Sequence, residues 1–127
     1  MQEPKFYEYA VIKLVPKVER EEFMNVGLIL YSKDGKYLNS RTHLNLDKLS
    51  CFDSELDIDE VNRNLDAFNS ICKGDKHSGP MAFEDLPSRF RWLTASRSSS
   101  IQTSRPHVGS SQNLEETFER LFRELVL

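Results

Sequence analysis

The chain has 127 residues, a common length for one domain, and 39% of them are hydrophobic, which is enough for a single core. Its 20 acidic and 17 basic residues give a formal net charge of −3, and this balance argues against a strongly basic nucleic-acid-binding protein. No apolar run approaches the roughly 18 residues that a membrane span needs, so we predict one soluble domain over residues 1–127.

The N-terminal segment MQEPKFYEYA has an acidic residue where a signal peptide is basic, and no apolar segment follows it. We therefore expect a cytoplasmic protein without a membrane partner. Two cysteines, Cys51 and Cys72, fit free thiols in a reducing compartment. Because these cysteines and the histidines His43, His77 and His107 are scattered along the sequence, they do not form the close clusters that zinc requires. We predict neither a metal nor a cofactor.

Strands are predicted in the first third of the sequence. The segment FYEYAVIKLVP has apolar residues on both of its alternating faces, which is typical of a central strand, and Pro16 ends it. A charged connection, KVEREEF, has room for one helical turn. The segments MNVGLILYS and YLNSRTHL then form a hairpin about Asp34-Gly35, because Asp-Gly favours the positive φ angles of a type I′ turn.

Helices are predicted in the middle and at the end of the sequence. The first spans about Asp57 to Lys73, with Asp57 and Glu60 as a capping box and Gly74 as the stop signal. The segment FEDLPSRFRWLTA is ambiguous, although Pro87 suits a first helical turn, and we expect its cluster Phe90-Trp92-Leu93 to be core. The last segment has one apolar stripe that must pack on the sheet: Leu114, Phe118, Leu121, Phe122 and Leu125.

These elements predict an α+β fold, in which a small antiparallel sheet of about three to five strands is covered by two or three helices. The polar segment SIQTSRP alternates in a way that suits an edge strand, where Pro106 is acceptable.

The charge is distributed unevenly. From Leu86 to Leu114 there is no acidic residue, and the basic residues are all arginines: Arg89, Arg91, Arg97 and Arg105. This window carries +4, so the rest of the chain carries −7 to give the total of −3. Arginine binds carboxylate or phosphate through two parallel hydrogen bonds, and the interleaved serines add further donors. The composition indicates an anion site, whereas the alternative is a plain linker whose arginines pack on aromatic rings or pair with acids elsewhere.

The candidate ligand-binding residues in this window are Arg97, Ser98, Gln102, Ser104, Arg105 and His107. We expect Arg97 and Arg105 each to meet an anion, either an acid of the Glu19–Glu22 segment or an external phosphate. No standard catalytic motif is present, so whether the chain is an enzyme is left open. The weak candidates for acid–base catalysis are His107 and Glu22, which would have to lie within a few ångströms of each other.

Two stretches together resemble a known family. The first is YAVIKLVPKVEREEFMNVGLILYS, and the second is RWLTASRSSSIQTSRPHVG followed by LEETFERLFRELV. They are similar to a bacterial family catalogued as domain of unknown function 3037, which has no assigned function. The resemblance adds motif positions outside the arginine-rich window: Glu19, Arg20, Asn25 and Gly27. It also implies an accessory role beside a HipA-like kinase. The motif residues have an alternative structural reading, with a β-bulge at Asn25-Val26-Gly27 and strand-end caps at Gln102 and His107.

Three functions follow as competing hypotheses. We favour a non-enzymatic interaction protein, which predicts an exposed apolar patch or an uncovered sheet edge. The first alternative is a module that binds a phosphate-bearing ligand, such as a nucleotide or nucleic acid, through the arginine-rich loop from Arg97 to Gly109. The second alternative is a small hydrolase or nuclease that uses His107 as its acid–base group.

Overall fold

The computed structural model describes residues 3–52, 56–95 and 100–127. Short 3-10 turns occupy Val18–Arg20, Lys76–Ser78 and Pro80–Phe83. The strands and α-helices, in chain order, are β1 (Lys5–Leu14), β2 (Met24–Ser32), β3 (Tyr37–Thr42), α1 (Leu46–Phe52), α2 (Ile58–Lys73), α3 (Leu86–Leu93), β4 (Ile101–Thr103), β5 (His107–Ser111) and α4 (Leu114–Leu125).

The strands form one antiparallel sheet of 5 strands in which β1 is central. The order is β3-β2-β1, and both β4 and β5 pair with the remaining edge of β1. The predicted α+β fold with an antiparallel sheet is thereby confirmed. The described residues include one α-helix more than the two or three expected, because α1 has only 7 residues, too few for a helical period to stand out in the sequence.

The central strand β1 has buried residues on both faces, as its sequence predicts. On one face, which we call the α2 face, Ala10, Ile12 and Leu14 pack with residues of β2, α2 and α3. On the other, the α4 face, Tyr7 packs with Leu28 and residues of α4. The sheet therefore lies between two separate helical layers, each of which covers part of a face.

The β2–β3 hairpin is confirmed, but the predicted turn type is wrong. Ser32 pairs with Tyr37, which leaves a four-residue loop, and the positive φ angle belongs to Lys36 (50°) rather than to Gly35. Gly35 instead makes room for α4, since a Cβ at this position would overlap the end of the Leu114 side chain. The buried Ser32 hydroxyl fixes the turn by donating to the Phe6 carbonyl at 2.7 Å and accepting from the Gly35 N–H at 3.0 Å.

Local capping defines α2 and α3. The Asp57 carboxylate accepts from the Glu60 N–H at 3.1 Å, and Gly74 ends α2 with a φ angle of 74°, as predicted. The ambiguous segment after it is helix α3, which Asp85 caps and which has Pro87 in its first turn. The prediction of a core cluster in α3 is correct for Phe90 and Leu93 and wrong for Trp92, which is 47% exposed.

Helix α4 docks as predicted through its apolar stripe. Phe118, Leu121 and Phe122 are buried, whereas Leu114 and Leu125 at the two ends are half-buried. The guanidinium group of Arg41 from β3 lies over the Phe118 and Phe122 rings and binds both carboxylate oxygens of Glu119, at 2.7 and 2.8 Å. In the described part of the chain, each helix is too short or too polar to span a lipid bilayer.

We expect Phe122→Ala to lower the free energy of unfolding by about 3–5 kcal/mol, because it removes a buried ring and leaves a cavity. Chemical denaturation measures this change. The exposed Phe83 is the matched control, and Phe83→Ala is expected to change stability by about 0.5 kcal/mol or less. Equal effects of the two substitutions would show that α4 is not docked on the sheet.

Candidate functional site at the broken edge strand

The arginine- and serine-rich segment, where the structure describes it, forms an edge strand with a break. Thr103 at the end of β4 pairs with Ile12, and His107 at the start of β5 pairs with Tyr9. Three residues lie between Thr103 and His107, whereas two lie between Tyr9 and Ile12. One extra residue is therefore inserted between β4 and β5. Ser104 bridges the break: its N–H donates to the Val11 carbonyl at 2.9 Å, and its hydroxyl oxygen accepts from the Val11 N–H at 2.9 Å. The hydroxyl thus takes the place of a backbone carbonyl.

Two further motif residues fit the tyrosines of β1. The His107 ring lies against the Tyr9 ring, with a centroid distance of 5.3 Å. Gly109 is opposite Tyr7, and a Cβ on Gly109 would lie 2.5 Å from the Tyr7 hydroxyl oxygen. Glycine is therefore required for the Tyr7 ring to lie across β5.

The outer edge of β5 has open backbone groups. Phe6 uses its N–H and carbonyl toward the β2–β3 turn, whereas Val11 uses both of its groups toward Ser104. The backbone groups of successive residues in a strand point to alternate sides, so those of Tyr7 and Tyr9 point toward β5, on the same side as those of Val11. Tyr7 and Tyr9 therefore form backbone hydrogen bonds with their paired residues, Gly109 and His107. The N–H and carbonyl groups of Val108 and Ser110 then point away from the sheet, and β5 pairs with no other strand among the described residues.

An apolar cleft adjoins this edge on the α2 face. Val108 pairs with Glu8 and Ser110 with Phe6, which makes Val108 and Phe6 diagonal neighbours. They are 79% and 72% exposed, since the helices cover this face farther along β1. The cleft has a volume of about 490 Å³ and also includes Tyr31, whose pKa is raised by burial and, to a smaller extent, by the Glu8 carboxylate.

The described arginines of the acid-free window have different surroundings. Arg91 is 3.9 Å from Glu8 but exposed, so this ion pair is weak. Arg89 lies beside Gly74 at the C-terminal end of α2, and its buried Nε has no hydrogen-bond partner. Arg105 is exposed and makes no ion pair within the described ranges. Arg97 and Ser98 lie outside the described residues, so their predicted anion contacts stay predictions.

The residues Glu19, Arg20, Asn25 and Gly27 of the first family-like stretch make contacts that stabilise the fold or lie on its surface. The Asn25 side chain donates to the Leu125 carbonyl at 3.1 Å and so caps the end of α4. Val26 is the extra residue in the pairing of β1 with β2, which confirms the predicted bulge. A Cβ on Gly27 would lie 2.7 Å from the Arg41 carbonyl oxygen. Glu19 and Arg20 lie in an exposed 3-10 turn, where Arg20 binds Glu22 at 2.7 Å.

The two family-like stretches meet in one cross-strand row. Gln102 pairs with Lys13, and Lys13 pairs with Asn25, so the outer two residues lie roughly 10 Å apart across the sheet. The Lys13 ammonium group is 4.2 Å from the centroid of the Phe23 ring. The backbone also connects the two stretches, since the Val15 N–H donates to the Ser100 carbonyl at 2.7 Å.

The candidate acid–base pair is not brought together. His107 pairs with Tyr9, whereas Glu22 lies just before Met24, which pairs with Leu14. Tyr9 and Leu14 are about 17 Å apart along β1 at the usual rise per residue. Among the described side chains, no group of three or more His, Cys, Asp and Glu is placed to hold a metal ion.

Sequence reasoning missed the apolar pair at the edge. Phe6 is in a strand that reads as buried on both faces, so its exposure depends on where the helices end on the sheet. Val108 is the only strongly apolar residue between Pro106 and Leu114, and this isolation was the available signal.

The comparisons with known proteins give one match. The model of a family described as "Protein of unknown function (DUF3037)" matches residues 9–126. No curated protein and no solved structure matches the chain.

We expect Ser104→Ala to lower the free energy of unfolding by about 1–3 kcal/mol, because it leaves the part-buried Val11 N–H without its acceptor. Faster amide hydrogen exchange at Val11 identifies this cause. The control is Ser110→Ala, which truncates an exposed serine of the same edge and should leave both quantities unchanged. Unaltered exchange at Val11 in Ser104→Ala would show that the serine does not hold the break.

Proposed function

The chain belongs to this family of unknown function, DUF3037, and we propose that it is a protein-interaction module whose β5 edge accepts an extended segment of a partner. The observation that carries the proposal is the open backbone of Val108 and Ser110. These two residues offer two N–H donors and two carbonyl acceptors in strand geometry, and an added strand can bond to all four. An uncovered edge of this kind is what a non-enzymatic interaction protein is expected to have.

The side chains beside the edge define the chemistry of the partner segment. On the α2 face, an apolar side chain of an added strand would contact Val108 and the exposed Phe6 ring. Arg105 lies at the start of the same edge, and residues 100–114 contain no carboxylate. We therefore infer a segment with alternating apolar residues and an acidic residue near Arg105, since opposite charges steer association and fix the register.

A HipA-like kinase is the first partner to test. The support for it is the sequence resemblance, which implies an accessory role beside such a kinase. The separation of His107 from Glu22 favours this binding role over the acid–base hydrolase. A second source of ligands is a library of random peptides selected on the wild-type chain, from which extended binders can be synthesised.

We expect Ser110→Pro to weaken binding of the kinase or of a selected peptide at least tenfold, or about 1.4 kcal/mol. Proline removes the outward N–H of residue 110 and places a ring where the added strand would lie, whereas the bonds of β5 to β1 remain. Isothermal titration calorimetry measures the affinity, and circular dichroism verifies the fold.

Ser110→Ala is the matched control, because it removes the same hydroxyl but keeps the N–H, and it should bind as the wild type does. Equal binding by Ser110→Pro would refute docking at this edge. A second copy of the chain is another occupant that the test detects: sedimentation would then show a wild-type dimer that Ser110→Pro converts to monomers, and the partner proposal would fail.

Arg105 supports a second candidate function, the binding of a phosphate-bearing ligand. It is exposed and has no ion pair among the described residues, and the exposed His107 follows two residues later. Because a ligand bound only by the folded state raises the melting temperature, phosphate or a nucleotide should stabilise the wild-type chain.

In this second candidate, we expect Arg105→Ala to melt at nearly the wild-type temperature in plain buffer and to lose the stabilisation by phosphate. A thermal-shift series with phosphate, nucleotides and short oligonucleotides measures both properties. Arg20→Ala, a change in an exposed arginine of another region, is the control for unspecific charge effects and should keep the stabilisation. Identical responses of wild type and Arg105→Ala would exclude Arg105 as the anion-binding residue.

A further inference from the structure

A second cleft lies between α2 and β4, separate from the outer edge of β5. Its volume is about 280 Å³. Ile101 and Thr103 of β4 pair with Leu14 and Ile12, so their side chains point toward the α2 face. Across from β4, the cleft is lined by Phe68 and Ile71 of α2 and by Leu93 of α3.

One residue that lines this cleft has a polar atom without a partner among the described residues. The Oγ1 atom of Thr103 is buried and makes no hydrogen bond to any residue that the structure describes. Such an atom costs free energy, because it has lost its hydrogen bonds to water without a replacement. In native proteins such atoms are rare, and each one calls for an explanation, such as a bound water or ion that supplies the missing hydrogen bond.

The lining selects the chemistry of the missing partner. The apolar side chains on α2 and α3 suit an apolar body, and Thr103 suits one hydrogen-bonding group beside the other polar lining residues, Asn64, Ser100 and Gln102. None of the described lining residues has an ionisable side chain, so nothing among them would compensate a charge on the ligand. The volume lies just below the usual range for ligand pockets, which limits the ligand to a small molecule.

We propose that this cleft binds a small neutral molecule, with an apolar body between α2 and β4 and one hydrogen-bonding group at the Thr103 hydroxyl. The proposal does not depend on the partner-binding edge, which uses Val108 and Ser110 on β5. The alternative is a cleft that holds only water. Its volume has room for several molecules, because one water occupies roughly 30 Å³ in the liquid.

Phenol and benzyl alcohol are suitable probes, because each has one hydroxyl on a small apolar body. A titration followed by NMR of the methyl groups of Ile71, Leu93 and Ile101 should show saturable shifts. In Thr103→Val, which keeps the shape and removes the hydroxyl, the dissociation constant should rise about tenfold. Without a probe the same variant should melt at a higher temperature than the wild type, since it no longer buries an unpaired hydroxyl.

A second pair of variants tests the location without touching Thr103. Ala67 is exposed on α2 and lines the cleft, so Ala67→Trp should fill it and abolish the methyl shifts while the chain stays folded. Ala67→Ser, which leaves the cleft open, should bind as the wild type does. The proposal is overturned if neither probe produces a saturable shift up to its solubility, or if Thr103→Val or Ala67→Trp binds the probes as tightly as the wild type.

Discussion

The central strand β1 imposes the main constraint on this structure. Both of its faces have buried residues and both of its edges carry backbone groups that need partners, so the chain has to supply two helical layers and a strand on each side. The β2–β3 hairpin satisfies one edge directly. The other edge is satisfied by a strand in two pieces, and the Ser104 hydroxyl bonds to Val11 where the backbone of this strand departs from β1.

This constraint explains much of the composition of the polar segment. Its described part, residues 100–111, is not a linker, because Ser104, His107 and Gly109 each contact a particular group of β1. This strand can be polar because one of its edges faces solvent. Only the edge that pairs with β1 has to provide complementary groups. The same asymmetry leaves an edge open to another chain, a property that most sheets suppress with charge or with a covering segment.

Features that depend on neighbouring residues in the sequence could be predicted, and features that depend on distant contacts could not. Asp57 and Gly74 bound α2 because capping is local chemistry, and the stripe of α4 specifies the face that it buries. The turn at Gly35 was misread, since its glycine makes room for Leu114, which lies far away in the sequence.

At the candidate site too, local features could be predicted and long-range contacts could not. The alternation of residues 100–106 predicted an edge strand, yet no local pattern indicates that Val108 and Phe6 become neighbours. Their contact depends on the register between β5 and β1, which the pattern of a short polar strand specifies weakly. Trp92 likewise reads as core, and only the position of α3 on the sheet shows that it is exposed.

The pairing of β1 with β5 joins the start of the sequence to a strand that lies about a hundred residues later. During synthesis, β1 leaves the ribosome well before β4 and β5, and one of its edges stays unpaired until those strands emerge. Folding is slowed because the entropy cost of closing such a long loop precedes the stabilising contacts between the two strands. The nascent chain therefore exposes an apolar strand during this interval, when pairing with a neighbouring chain competes with correct folding.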